Sequence, residues 1–196
     1  ILNSNKIKTS SFRKTLNNYN LKKVKKFIAF HEKNIGLNRF EKFNYFFKQI
    51  LNKKNFNNEL ANCLRKFSTI NKQKLIHCKI DKSLNSFIKY NSSKKFIVIS
   101  AAEQKELKII FKEKKIYNYF YKIYGSPNSK TDNFKKILKN KNCKEPYLYL
   151  GDSKNDYVFA KSNNIDFVFI YHWTIFKNWK NFCKSKNLMY VKDLKY

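Results

Sequence analysis

Two hydrophobic rhythms divide the chain near residue 80. Before it, apolar positions recur at helical spacing, with Phe40, Phe43, Phe47 and Ile50 in one segment and Leu60, Leu64 and Phe67 in the next, and nothing alternates as a half-buried strand would. After it, short apolar runs take over. Residues 95–100 (KFIVIS), 120–125 (FYKIYG), 147–152 (YLYLGD) and 165–171 (IDFVFIY) predict buried parallel strands. The stretches around 103–115, 130–140 and 154–163 predict the helices between them, with Val158 and Phe159 as core positions of the last. Strands alternating with helices predict an α/β fold with a Rossmann-like parallel sheet and right-handed crossovers. The helical N-terminal part then reads as a separate module packed over one end of that sheet.

Glycine sharpens this picture because the composition almost excludes it. Only Gly36, Gly125 and Gly151 occur, so each marks a place where the backbone needs positive φ or a close approach. Gly125 and Gly151 directly follow predicted strands, at the carboxyl ends where open α/β sheets hold their ligands. Gly36 lies between helices of the N-terminal module.

Candidate chemistry gathers at those strand ends. In Gly-Asp-Ser-Lys-Asn-Asp (151–156), Asp152 projects from the end of a strand and Asp156 falls in the first turn of the next helix, so both carboxylates face one crevice. Two hard oxygen donors on such a loop suit Mg²⁺, which takes one or two protein carboxylates and completes its shell with water and substrate phosphate. The competing structural role is helix capping by Asp152 or Ser153, with Asp156 complementing the helix dipole. Ser100 ends another predicted strand. With Glu103 it forms a capping-box pattern ahead of the apolar face Leu107, Ile110 and Phe111, and a helix start there is also an anion site. Lys130 in GSPNSKTDNF opens a predicted helix, where a cation opposes the macrodipole, which favours a role in neutralising phosphate.

The segments FIVISAAEQKEL, YGSPNSK and LYLGDSKND, in that order, resemble the haloacid-dehalogenase-like hydrolase superfamily, and within it the phosphoglycolate-phosphatase-like members. The resemblance implies a Mg²⁺-dependent phosphomonoester hydrolase acting through an aspartyl-phosphate intermediate. In it Ser100 and Ala101 meet the phosphoryl group, Lys130 neutralises it, and Asp152 and Asp156 serve the metal. It further implies that residues 9–78 are an inserted helical cap and that 79–196, with 1–8, form the core. In GLNRFEKF of the cap, Arg39 and Lys42 are expected substrate contacts. A small phosphorylated metabolite is the expected substrate, and phosphomutase chemistry on the same fold is the neighbouring alternative.

One part of the pattern is missing. The superfamily's nucleophile is the first Asp of an Asp-x-Asp-Gly-Thr/Val motif, and no such motif occurs in these 196 residues. Family members follow it with a segment like Leu-x-Asp-Ser, and this chain opens Ile-Leu-Asn-Ser, with Ile1 in place of Met. The expectation is an N-terminally truncated chain that begins just after the catalytic loop, with Asn3 and Ser4 at the loop's distal edge. It would lack the central strand of the sheet and be marginally stable and inactive.

Charge opens a second function class. Forty-three basic residues against 13 acidic ones give a formal charge of +30, which by itself points to polyanions. Yet Arg13, Arg39 and Arg65 are the only arginines, while base readout favours Arg. The 19 Phe and 13 Tyr fall mainly on core faces, and no helix-turn-helix or RNP signature appears. A basic nucleic-acid-binding module without catalysis is therefore the alternative reading, with non-specific polyanion binding expected at low salt. Cys63, Cys78, Cys143 and Cys183, like His31, His77 and His172, show no metal-ligand spacing, so reduced thiols in a cytoplasmic setting are expected. The absence of an 18-residue uncharged stretch predicts no membrane span.

Overall fold

The computed structural model describes residues 1–195. Its helical half starts with α1 (Asn5–Thr15), α2 (Leu21–Lys33), α3 (Arg39–Tyr45) and α4 (Asn57–Ile76), with a π-turn at Phe46–Ile50 extending α3. These helices close on an aromatic core of Phe12, Phe27, Phe43, Phe46, Phe47 and Phe67, whose rings meet mostly edge to face. Helical spacing identified Phe43, Phe47 and Phe67 of this core but not Phe12, Phe27 or Phe46, and Phe40 is 54% exposed, because α3 begins at Arg39 and its first turn precedes the buried stripe. Asn20 and Asn38 cap α2 and α3, the latter in a full capping box with Glu41.

The second half runs α5 (Leu84–Tyr90), β1 (Ile97–Glu103), α6 (Gln104–Glu113), β2 (Lys122–Ser126), α7 (Lys130–Leu138), β3 (Leu148–Gly151), α8 (Lys154–Ser162), β4 (Asp166–Ile170), α9 (Trp179–Ser185) and β5 (Met189–Val191). All strand pairs are parallel, and they form two sheets, β1-β2 and β3-β4-β5. β1 and β3 are thus both edge strands. They are linked through a shared apolar cluster in which Ile97, Ile99, Tyr149 and Phe167 pack with Phe134 and Phe159. The two halves join at residues 1–4 and 77–81, which run antiparallel through a Leu2–Ile80 bridge, and Lys114 holds the second crossing by donating to the Ile76 and Cys78 carbonyls.

Three local expectations change. β1 runs three residues past Ser100, so Glu103, not Ser100, caps α6, accepting from the Lys105 and Glu106 N–H groups, while Ser100 Oγ accepts from Ala102 N–H. A register shift between Ile99 and Glu103 produces this extension, which no local pattern announces. Val158 is 48% exposed, since the buried face of α8 is carried by Asp156, Phe159 and Ala160. The helix α9 and strand β5 at the C-terminal end were not foreseen.

Gly125 shows why the chain keeps its rare glycines: a Cβ there would stand 2.4 Å from the Ala102 carbonyl and 2.9 Å from Gln104 backbone. Those atoms belong to the turn from β1 into α6 and cannot move independently. Gly125→Ala should therefore destabilise the protein by about 1–3 kcal/mol. Urea unfolding checks this, and an unchanged midpoint would contradict the close approach.

Candidate active site

The site lies at the carboxyl end of β3, where α1 meets the turn into α8. Asp156 enters it from the first turn of α8 and is buried. Taking a carboxylate out of water is costly unless its lone pairs are filled, and here they are. Oδ1 accepts from Lys130 Nζ and lies 3.2 Å from the Tyr149 hydroxyl, and Oδ2 accepts from Ser153 Oγ (2.6 Å) and from the Asp152 N–H (3.2 Å). Burial would push this carboxyl up, but the Lys130 charge and the hydrogen bonds overcome it and hold it below the ordinary Asp value. Lys130 behaves conversely: burial would lower it, and Asp156 and Tyr149 hold it above the ordinary Lys range. The Tyr149 hydroxyl also reaches the Ile99 carbonyl at 3.0 Å, so an edge carbonyl of β1 is taken by a side chain from β3.

Asp152 is treated differently. Its Oδ2 accepts one hydrogen bond, from Asn5 Nδ2 at 2.7 Å, and its carbonyl accepts from Thr174 Oγ1 at 2.7 Å. Burial and the neighbouring Asp156 charge raise its carboxyl above the ordinary value, with Asn5 and Lys8 opposing. One carboxylate of the pair is locked and ionised, the other is kept short of partners. Like charges in one site separate in this way.

Gly36 is the point where the helical half touches this loop. At φ +100° it brings the turn before α3 against α8, where a Cβ would meet Asn155 Cβ at 2.9 Å, and Asn155 Nδ2 donates to the Ile35 carbonyl at 2.9 Å. Two further ties join the halves. Asn5 bridges Asp152 and the Trp173 carbonyl, and Arg39 donates to Glu106 on α6 at 2.5 Å. Glu106, 4% exposed, also accepts from Asn71 (2.8 Å) and Ser68 (3.2 Å).

Of the residues singled out in the sequence, Lys130, Asp152 and Asp156 come together. Ser100 and Ala101 follow Ile99 on β1 and share no hydrogen bond with the carboxylates among the described residues. Arg39 is engaged by Glu106 and lies 5.0 Å from the Phe67 ring centroid. Lys42 is buried against His31, Nζ to Nδ1 at 2.9 Å. Sequence reasoning missed Asn5, Lys8, Tyr149, Thr174 and Glu106. Asn155, inside the 151–156 motif, was within its reach; Thr174 lies in the loop between β4 and α9, and the others sit in segments whose only local signal is helix or strand.

The two carboxylates predict opposite stability effects. Asp156 is more acidic folded than unfolded, so its contribution is present above the unfolded value near 4 and is lost as pH falls through the folded one. Asp152 is less acidic folded, so its contribution is present below the unfolded value and is lost as pH rises through the folded one. At pH 7 without divalent cations, Asp156→Asn should cost about 3–5 kcal/mol by stranding Lys130, whereas Asp152→Asn should raise the unfolding midpoint. Shifts of the same sign in urea melts would refute this division.

The model of the haloacid dehalogenase-like hydrolase family matches residues 1–170. A search of curated proteins finds no sequence match. Among solved structures, a predicted phosphatase from Clostridium acetobutylicum aligns with TM-score 0.71 at 16% identity, over 97% of this chain and 88% of that one. A predicted phosphoglycolate phosphatase from Haemophilus somnus gives TM-score 0.71 at 16% identity, over 99% and 90%. A haloacid dehalogenase-like family hydrolase from Streptococcus pneumoniae gives 0.66 at 16% identity, over 98% and 89%. At such identities the likeness is one of fold, whereas the family match spans most of the sequence and includes all four core candidates, Ser100, Lys130, Asp152 and Asp156. The chain belongs to the haloacid dehalogenase-like hydrolase family.

Proposed function

We propose that the site is built for Mg²⁺-dependent hydrolysis of a small phosphomonoester, with residues 9–78 as the cap over residues 1–8 and 79–196. The observation that carries this is the unequal carboxylate pair. Asp156 has its lone pairs filled by protein donors, while Asp152 Oδ1 carries no protein hydrogen bond among the described residues. The donor set fits the ion: Mg²⁺ needs only one or two protein carboxylates, and Asp152 offers an oxygen that no protein donor occupies among the described residues. When bound, Mg²⁺ would offset the charge of the phosphoryl group.

The chain's own residues supply the rest. Lys130, fixed by Asp156 and Tyr149, presents a positive charge that needs no reorganisation. Ser100 Oγ and the backbone at Ala101 lie at the register shift within β1, where in this reading a phosphoryl oxygen would be held. Asp156 positions Lys130 and the Asp152 loop. The nucleophile in this reading is the first Asp of an Asp-x-Asp segment entering between β1 and β3, whose facing edges have no strand partner among the described residues. Its carboxylate attacks phosphorus, the ester oxygen leaves with a proton from the second Asp, and water then cleaves the aspartyl phosphate. Phosphomutase chemistry differs in what accepts the phosphoryl group.

A chain carrying an Asp-x-Asp-Gly-Thr/Val segment ahead of Ile1 should release phosphate from phosphomonoesters only with Mg²⁺, and Asp152→Asn should abolish this. Mg²⁺ should also raise the unfolding midpoint of the 196-residue chain but not that of its Asp152→Asn variant. Metal-independent turnover, or equal Mg²⁺ stabilisation of both, would refute the assignment.

A polyanion role is a second reading. An open cleft of about 920 Å³ beside α1 is lined by Lys6, Arg13, Lys14, Lys74 and Lys177 against a single carboxylate, Glu32. Binding of RNA there should weaken steeply with salt, and submicromolar affinity at physiological ionic strength would favour it over the hydrolase reading.

A further inference from the structure

Apart from the carboxylate site, a cavity of about 310 Å³ lies between α6 and the chain entering β2. None of its lining side chains hydrogen-bonds to Lys130, Asp152 or Asp156. Its walls have two sources. The segment leading into β2 supplies Tyr117, Phe120, Tyr121 and Lys122, and the first two turns of α6 supply Gln104 and Lys108. At this volume the cavity stands at the lower end of the range for small-molecule sites, a size for a molecule of one or two rings.

The polar groups of the α6 wall are donors without acceptors. Gln104 Oε1 accepts from the Gly125 N–H at 3.2 Å, which fixes the amide's orientation and leaves Nε2 with no partner among the described residues. Lys108 follows at i+4, on the same helix face. It is half-buried and takes part in no hydrogen bond or ion pair among the described residues. Most lysines of this chain are hydrated on open surface, where a cation needs no partner; one that lines a cavity has lost part of its water and gains from an anion. No carboxylate lines the cavity, and Glu106, the nearest along α6, is taken by Arg39, Ser68 and Asn71.

The other wall is aromatic and held in place. Phe120 packs on Phe111 with ring centroids 5.3 Å apart, and Lys122 Nζ stands 5.4 Å from the Tyr121 ring centroid. Ring faces carry partial negative charge and disfavour a bare inorganic anion, but they pack well against another flat ring. We propose that this cavity binds a small planar aromatic carboxylate. Its ring lies against Tyr117, Phe120 and Tyr121, and its two oxygens are received by Lys108 Nζ and Gln104 Nε2, with Lys122 adding positive charge. Binding there requires neither Mg²⁺ nor a phosphoryl group, so it is independent of the hydrolase reading.

The test is titration of 2-naphthoate into the 196-residue chain without Mg²⁺, followed by calorimetry and saturation-transfer NMR. A Kd below about 1 mM is expected, with the neutral 2-naphthamide about ten-fold weaker or more. Lys108→Met keeps the apolar stem and removes the charge, so it should weaken naphthoate about ten-fold and leave naphthamide unchanged. Gln104→Glu keeps an acceptor for the Gly125 N–H but sets a carboxylate against the ligand's own, and should also weaken naphthoate. Lys177→Met, in the open cleft beside α1, should change nothing. Equal affinity for naphthoate and naphthamide, unchanged naphthoate affinity in Lys108→Met, an equal loss in Lys177→Met, or no binding at millimolar concentration would each overturn the proposal.

Discussion

A buried carboxylate sets the terms for the rest of this site. Asp156 is held ionised away from water, and each of its hydrogen bonds comes from a different part of the fold: Lys130 at the start of α7, Tyr149 on β3, Ser153 at the N-cap of α8 and the Asp152 backbone between them. Breaking such a pair is more destabilising than never having built it, because the partner's charge stays behind. The Gly151 position follows from the same demand, since a Cβ there would stand 2.4 Å from Asp156 Cβ. The geometry that locks Asp156 also leaves Asp152 with one side-chain donor and a depressed tendency to ionise.

The helical half takes part in this arrangement directly. Asn5 reaches Asp152, Asn155 holds the turn at Ile35 and Gly36, and Glu106 gathers Arg39, Ser68 and Asn71. The last of these is a buried acid of the α/β half whose three donors all come from the helical half, so the two halves satisfy each other's polar groups across their boundary. Through α1 that coupling also brings the Lys8 charge to bear on Asp152 and Asp156. The formal charge of +30 hides this, because most of it lies on surfaces with no such geometry.

The residue pattern by itself determined a good deal. Helical spacing located Phe43, Phe47 and Phe67 of the first half's aromatic core, apolar runs located four of the five strands, and Gly-Asp-Ser-Lys-Asn-Asp with Lys130 marked the two carboxylates and the cation that do meet. These were legible because periodicity and strand-end motifs are local. Tertiary structure alone decided the rest. It turned Arg39 toward Glu106, buried Lys42 on His31, carried β1 past Ser100 so that Glu103 became the cap, and recruited Asn5, Lys8 and Tyr149. The partners in those contacts are up to 147 residues apart in sequence, and the free energy of burying a charge depends on what closes over it, which no local pattern encodes.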